Sequence, residues 1–332
     1  MSAVRPLAQA PRLHVDYVPD AGDASLAAVL ARADTLAVFG FGPDAPSSDD
    51  PRFLRVPLQP HGAAPLEVWR VEGPVRTGMH DGIRFAEDEC LHFGWIEIDE
   101  GAPGLQATSE AIYARMSAFV AGRGFPHLLR SWNYLDAITS GDGDDERYRR
   151  FCVGRATGLG EVHAGTLPAA TAIGRRDGVR TLQVYWLAAR TPGTPVENPR
   201  QVSAYRYPRQ HGPQPPSFAR AMVPPSDAMP LLLSGTASIV GHESRHHDCV
   251  ESQLAETFAN FESLVAAARA VRPSLPARFG AGSRLKVYVR DADALPRVAA
   301  LLDAHLDPLV PRILLHAAVC RRELRVEIDG VL

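Results

Sequence analysis

Glu327 stands between Val326 and Ile328 near the C-terminus, seven residues after Cys320 and fifteen after Arg312. A carboxyl on an alternating apolar strand is a candidate general acid, because burial disfavours its charged form and raises its pKa toward neutrality. Arg312-Ile-Leu-Leu-His-Ala-Ala-Val-Cys320 reads as a buried strand and Leu324-Arg-Val-Glu-Ile-Asp329 as an alternating one, with a tight turn over 321–323. If the loop consists of Arg322 and Glu323, the hairpin puts Cys320 diagonally beside Glu327, with Arg312 on the same face. That assembles a thiol, a carboxyl and a guanidinium. One further loop residue flips the faces, and a surface hairpin with solvated charges is the plain alternative.

Three other stretches invite chemistry. His242-Glu243-Ser244-Arg245-His246 reads H-E-x-x-H, which binds zinc when a helix puts both histidines on one face. Here Gly241 precedes it and 242–249 is almost wholly polar. The sequence therefore predicts a polar loop leading into a helix, and no metal. Asn198-Pro-Arg-Gln-Val-Ser-Ala-Tyr205-Arg-Tyr207-Pro, followed by 212–220 ending at Arg220, alternates Tyr and Arg with proline. Such a wall suits an anionic ring compound, Arg for carboxylate and Tyr for hydroxyl or ring; a solvated loop is the alternative. Ser234-Gly235-Thr236-Ala237-Ser238 at a strand end either lets a ligand approach the backbone closely or marks a bulge.

The elements that must position these groups are short. Period-two or β-branched apolar runs predict strands at 13–18, 35–40, 66–71, 83–98 (a pair), 127–138, 181–188, 230–240, 285–289 and 312–328 (a pair). Apolar stripes at helical spacing predict helices at 109–120 (Ile112, Met116, Phe119), 254–271 (Leu254, Phe258, Phe261, Leu264, Val265) and 291–306 (Leu295, Val298, Leu301, Leu302). Strands, helix, strand occur in the same order over 83–135 and 231–289, a structural pseudo-repeat. The implied organisation is two similar α+β domains, 1–160 and 161–332.

Composition narrows the function classes. The chain has 332 residues, with 35 Lys plus Arg against 38 Asp plus Glu, a net charge of −3. That excludes a generally basic nucleic-acid binder. Lys286 is the single lysine. Cys90, Cys152, Cys249 and Cys320 are far apart and outside CxxC spacing, so free thiols in a reducing cytoplasm are expected. No apolar run reaches the ~18 residues of a membrane span, and 1–9 lacks a signal-peptide core. A cytoplasmic protein needing no cofactor, nucleic acid or membrane is the expectation.

The C-terminal third resembles the Rid family of enamine/imine deaminases. The matching pieces are the Leu-Leu-Ser-Gly-Thr strand, the amphipathic helix, Leu-Lys-Val-Tyr-Val-Arg-Asp, the strand start at Arg312 and the closing Val-Glu327-Ile. That resemblance implies that Arg312 binds a substrate carboxylate and that Glu327 moves a proton. From about 130 onward the chain resembles a narrower family, the chorismatases, two-domain proteins on the Rid (chorismate-mutase-like) fold. The carrying segments are Trp132-Asn-Tyr-Leu-Asp-Ala-Ile, Glu146-Arg-Tyr-Arg-Arg-Phe-Cys-Val-Gly-Arg155, Pro168-Ala-Ala-Thr-Ala-Ile-Gly174, the Asn198–Pro208 stretch, Ser217-Phe-Ala-Arg-Ala and Ser234-Gly-Thr-Ala-Ser-Ile-Val-Gly-His.

The resemblance implies two Rid-like α+β domains, with mixed sheets and helices packed on one face. It implies cleavage of chorismate to pyruvate and a ring product. One branch of the family hydrolyses chorismate to a dihydrodiol. The other, marked by a cysteine seven residues before the catalytic glutamate, gives 3-hydroxybenzoate; in bifunctional members some 4-hydroxybenzoate accompanies it, for pigment and ubiquinone precursors. Cys320 and Glu327 have that spacing. Arg312, Arg220, Tyr205, Tyr207, Arg155, Gly235 and Ala237 are the expected substrate contacts, and a homotrimer or a monomer the expected assembly. A Rid-type deaminase, a chorismate hydrolase, a non-catalytic binder and a metal-dependent oxygenase are the competing readings.

Overall fold

Period-two alternation sets the layers. Along the strand Thr181–Ala189, Leu182, Val184, Trp186 and Ala188 pack with one helix pair, whereas Tyr185, Leu187 and Ala189 turn into a different cluster. A strand buried on both faces has helices on one side and another sheet on the other. The computed structural model describes residues 10–19 and 22–332; the expectation about 1–9 lies outside them. No helix among the described residues is long and apolar enough to cross a membrane.

Two units share one topology. The first sheet runs, in spatial order, Ala169–Arg175, His127–Asp136, Thr181–Ala189, Leu91–Asp99, Ile83–Glu87, with Arg76–His80 added at the edge. The second runs Arg312–His316, Arg284–Val289, Val326–Val331, Leu232–Ala237, Ala221–Val223, extended by Thr194–Val196 at one edge and Gln59–Pro60 at the other. In each, the first two named strands are parallel and the rest antiparallel. Helices Gly104–Gly122 and Arg147–Leu159 cover the first sheet, and Val250–Val271 and Leu295–His305 the second. These are two α+β units of one topology, and the pseudo-repeat is a real one. A smaller four-stranded sheet from 14–70 packs against both, so that three sheets meet at one core of aromatic residues including Trp69, Trp132, Tyr185 and Tyr288.

Two expectations are corrected. The strands at 312 and 326 do not form a hairpin: Arg284–Val289 lies between them, parallel to one and antiparallel to the other. The register drawn from a two-residue turn therefore does not apply, and 317–325 is a connector. The join at 160/161 also moves. Strands Ala169–Arg175 and Thr181–Ala189 complete the first sheet, so the change of sheet falls between Ala189 and Thr194. The reason is a parallel crossover. Ala169–Arg175 pairs parallel with His127–Asp136, which requires a crossover element, and the helix Arg147–Leu159 supplies it. That helix hides in the sequence because its buried face is Phe151, Cys152, Gly154 and Arg155. It packs backbone to backbone on Gly104–Gly122: a Cβ at Gly154 would lie 2.0 Å from the carbonyl of Gln106, and one at Gly158 2.4 Å from that of Glu110.

Candidate active site

The seam between the two units opens into a cavity of about 310 Å³. Strand Ala169–Arg175 of the first unit lines it with Ala170, Thr171 and Ala172. The second unit faces these with Gly235 and Ala237 of one strand and Glu327 of the next. The cleft therefore lies within the chain. The seam is closed by the hydroxyls of Ser234 and Thr171: Ala170 N donates to Ser234 Oγ (2.9 Å) and Gly235 N donates to Thr171 Oγ1 (3.0 Å). The pairing of Leu232–Ala237 with Val326–Val331 slips between Leu233 and Thr236. Ser234-Gly235 is thus a bulge, and it also allows a close approach: a Cβ on Gly235 would stand 2.0 Å from Glu327 Oε1.

Glu327 is 5% exposed and pairs in register with Ala237 and Tyr288. Its pKa is pushed up to about 8, first by burial and then by the like charge of Asp329, against the pull of Arg130, Arg220 and Arg321. Near neutral pH it carries a proton that it can give. Cys320 reaches the same cavity by another route. The connector after His316 crosses to the first unit, where Gly174 and Ala318 exchange backbone hydrogen bonds of 2.7 and 3.0 Å. Burial raises the Cys320 thiol well above its ordinary pKa, as does Glu327, so it is a neutral SH.

Two buried arginines with few hydrogen-bond partners line this space. Arg155, 3% exposed, lies over the Tyr113 ring (5.1 Å) and makes one long bond to Ser131 Oγ (3.4 Å); its Nε has no partner. Arg220, 4% exposed, donates to Tyr207 Oη (2.6 Å) and the Val202 carbonyl (3.1 Å) through Nη2, and its Nε is likewise unpaired. Both line the cavity. Unpaired buried donors of fixed charge mark where an anion's oxygens belong. Phe218, Phe151 and Tyr148 supply apolar wall, and His211, Arg149, Arg321 and Arg322 ring the mouth. Across that mouth Arg209 pairs with Asp144 (2.8 Å) and Arg322 bonds the Thr139 carbonyl (3.0 Å).

The comparisons fit this geometry. A family profile described as "Chorismatase FkbO/Hyg5-like, N-terminal" matches residues 67–188. A chorismatase of Streptomyces rapamycinicus is 36% identical over 80% of this chain and 81% of its own. A 3-hydroxybenzoate synthase of Streptomyces hygroscopicus is 34% identical over 80% of each. The solved structure "Crystal structure of Chorismatase at 1.08 Angstrom resolution" superposes with a TM-score of 0.82 at 31% identity, covering 97% of this chain and 98% of that one. The chain belongs to the chorismatase family.

Within this chorismatase, most of the expected site residues converge: Glu327, Cys320, Arg155, Arg220, Tyr207, Gly235 and Ala237 all line one cavity. Two do not. Arg312 starts a strand on the far side of Arg284–Val289 from Glu327, where it pairs with Asp303 and bonds the Val310 carbonyl (3.0 Å). The cleft is made by the other unit's equivalent strand, Ala169–Arg175, so Arg312 faces away from it. Tyr205 lines a separate hollow with Ala156, Leu159 and Gln214, under Arg206 (5.7 Å). The H-E-x-x-H residues run from a turn at His242 through the two-residue strand Glu243–Ser244, which pairs with Ile239–Val240, to Arg245 and His246, with the helix starting only at Val250. Their histidines part company: His242 Nδ1 meets His211 Nε2 at 3.1 Å, and His246 meets Glu256 at 3.3 Å. Thr171, Arg130, Asp329 and Arg321 were not singled out from sequence. Only Asp329, two residues beyond Glu327 on the same strand face, carried a signal that could have found it.

Proposed function

We propose that this chorismatase converts chorismate to 3-hydroxybenzoate and pyruvate, with some 4-hydroxybenzoate, and so supplies precursors of pigment and ubiquinone. The observation that supports the product assignment is the convergence of Cys320 and Glu327 on one cavity from separate segments. Arg155 and Arg220 match the two carboxylates of chorismate. Glu327 gives its proton to the methylene carbon of the enol ether, and the oxocarbenium-like carbon beside the ring hydroxyl is captured within the molecule. That capture gives a cyclic ketal and frees the hydroxyl proton. The carboxylate left on Glu327 then takes the ring proton from the carbon bearing the ether oxygen as the bond between the ring and the captured oxygen breaks. The hemiketal left on the aromatic ring collapses to the phenol, which takes up the freed proton, and pyruvate. Substrate and products balance without water, so excluding water favours this outcome over hydrolysis. Cys320, a neutral thiol against Glu327, fills that space.

The test is to incubate the purified protein with chorismate and resolve all ring products and pyruvate by chromatography. 3-Hydroxybenzoate equimolar with pyruvate is expected; a dihydrodiol as the main product would overturn the reading.

A further inference from the structure

Beneath Glu327 lies a second carboxyl in the opposite electrical state. Asp329 is fully buried, and its Oδ2 accepts from Thr171 Oγ1 (2.7 Å), Trp132 Nε1 (3.0 Å), Tyr288 Oη (3.0 Å) and Arg130 Nη2 (3.2 Å). Lys286 Nζ stands 4.0 Å from its other oxygen and 3.1 Å from Glu67. Four donors, Arg130 among them, and the nearby Lys286 ammonium surround Asp329 as they would a carboxylate. With Arg130, Lys286 and Glu67 it forms a buried set whose charges cancel. Glu327, two residues along the same strand face and so roughly 6.5–7 Å away, belongs to no such set.

Thr171 joins the two carboxyls. Its Oγ1 accepts from Arg130 Nη2 (2.5 Å) and Gly235 N (3.0 Å) and therefore gives its one proton to Asp329. Gly235 is the residue whose Cα face abuts Glu327 Oε1. The groups facing Glu327 are Asp329 on its own strand, Arg130 from the first sheet, Arg220 before the strand Ala221–Val223, Arg321 and Cys320 on the connector and Tyr148 on the helix Arg147–Leu159. When a dianionic substrate enters, its carboxylates offset the cavity arginines. The fixed negative charge of Asp329 stays.

We propose that Asp329 is a positioning residue for the proton: its fixed negative charge, anchored through Thr171 and Arg130, keeps Glu327 protonated at working pH. Asp329 touches no substrate and acts only through Glu327. The inference rests on Glu327 being the acid in chorismate cleavage. Asp329→Asn keeps an acceptor for the donors and removes the charge. The pH profile of kcat/KM for pyruvate release should then lose its activity at lower pH, the falling limb moving down by about one to two pH units.

A uniform loss of rate with the limb unmoved means a purely structural role and overturns the proposal. Wild-type protein that releases no pyruvate sinks the chorismatase reading itself, a distinguishable result. Should Asp329→Asn fail to fold, infrared pH titration of wild type against Glu327→Gln decides. The buried protonated carboxyl band at neutral pH is expected to vanish in Glu327→Gln. If the band is no weaker in Glu327→Gln, Glu327 is ionised at neutral pH and the proposal falls.

Discussion

Aligning the two units of common topology on their inward tyrosines, Tyr134 and Tyr288, whose hydroxyls meet at 3.3 Å, sets unlike residues at matched positions. Opposite Tyr288 in register stands Glu327; opposite Tyr134 stands Gln183. Two residues on, the second unit pairs Lys286 with Asp329, and the first pairs Trp132 with Tyr185, their rings stacked 4.6 Å apart. One unit fills its share of the core with aromatic area and the other with buried charge. Gln183 gives its amide hydrogens to the Arg55 carbonyl (3.1 Å) and to Glu97 (3.0 Å). The same fold thus carries an amide at one matched position and a buried carboxyl at the other. What separates them is the protonation chemistry of one residue and the arginines gathered across the seam.

The largest effect should come from making the second unit like the first. Glu327→Gln keeps size and polarity but removes the proton donor, and kcat should fall by ~10²–10⁴ with chorismate binding retained. The wild-type sign is set by the pKa of about 8. The protonated form is active, so kcat/KM is level below that pH and falls about tenfold per unit above it. Stopped pyruvate assays across pH 6–10 check both. A profile that rises through pH 8 would reverse the role of Glu327 from acid to base.

Next in size are the arginines across the seam. Arg155→Ala or Arg220→Ala removes one member of a buried charge pair with the substrate, and KM should rise about 30- to 1,000-fold, or about 2–4 kcal/mol. Lys should not rescue either, because the bidentate fork is lost. Arg312→Ala should stay within about twofold of wild type, since Arg312 pairs with the exposed Asp303 and such pairs are worth little. A steady-state series on the three variants separates clamp from bystander. Equal losses in all three would return Arg312 to the site.

The elements with strong patterns were legible in the sequence: the helices now seen at Gly104–Gly122, Val250–Val271 and Leu295–His305, and strands such as Arg284–Val289, announced themselves by periodicity. So did the acid strand with Glu327. What failed was long-range pairing. Adjacent strands at 312 and 326 suggest a hairpin, and nothing local says that Arg284–Val289 inserts between them. That single insertion sends Arg312 away from Glu327. Cys320 stayed in the site for a different reason from the one first argued, since the connector carries it across to Gly174. The helix Arg147–Leu159 was invisible because its buried face includes an arginine and a glycine, both packed on Gly104–Gly122.

A smaller effect in rate, though not in outcome, is expected from Cys320→Ala. The thiol excludes water beside Glu327 without giving a proton, so pyruvate release should persist. Intramolecular capture draws on a high effective concentration of the ring hydroxyl, and water competes only where the cavity admits it. The variant should therefore yield less 3-hydroxybenzoate and more 4-hydroxybenzoate or hydrolysed dihydrodiol. All ring products from both proteins are quantified under one set of conditions; an unchanged ratio would move the control of selectivity to the Gly235–Ala237 wall.

The smallest effect on turnover should come from the reverse exchange, Gln183→Glu, which gives the first unit the carboxyl it lacks. Gln183 is 2% exposed and its amide donates to two acceptors, the Arg55 carbonyl and the Glu97 carboxylate. A glutamate there has one hydrogen to offer when protonated and none when ionised, and in the ionised form it also faces the like charge of Glu97. Protonated, it leaves one of the two acceptors without its donor; ionised, it leaves both, at about 1 kcal/mol each. Thermal melting should show that loss, growing as pH rises and the carboxyl is pressed to ionise, while kcat and KM for chorismate stay within twofold. The carboxyl alone makes no site, because Arg155 and Arg220 line the other seam. A second, independently titrating phase of pyruvate release from Gln183→Glu, surviving in combination with Glu327→Gln, would show that the first unit needs only an acid to become catalytic.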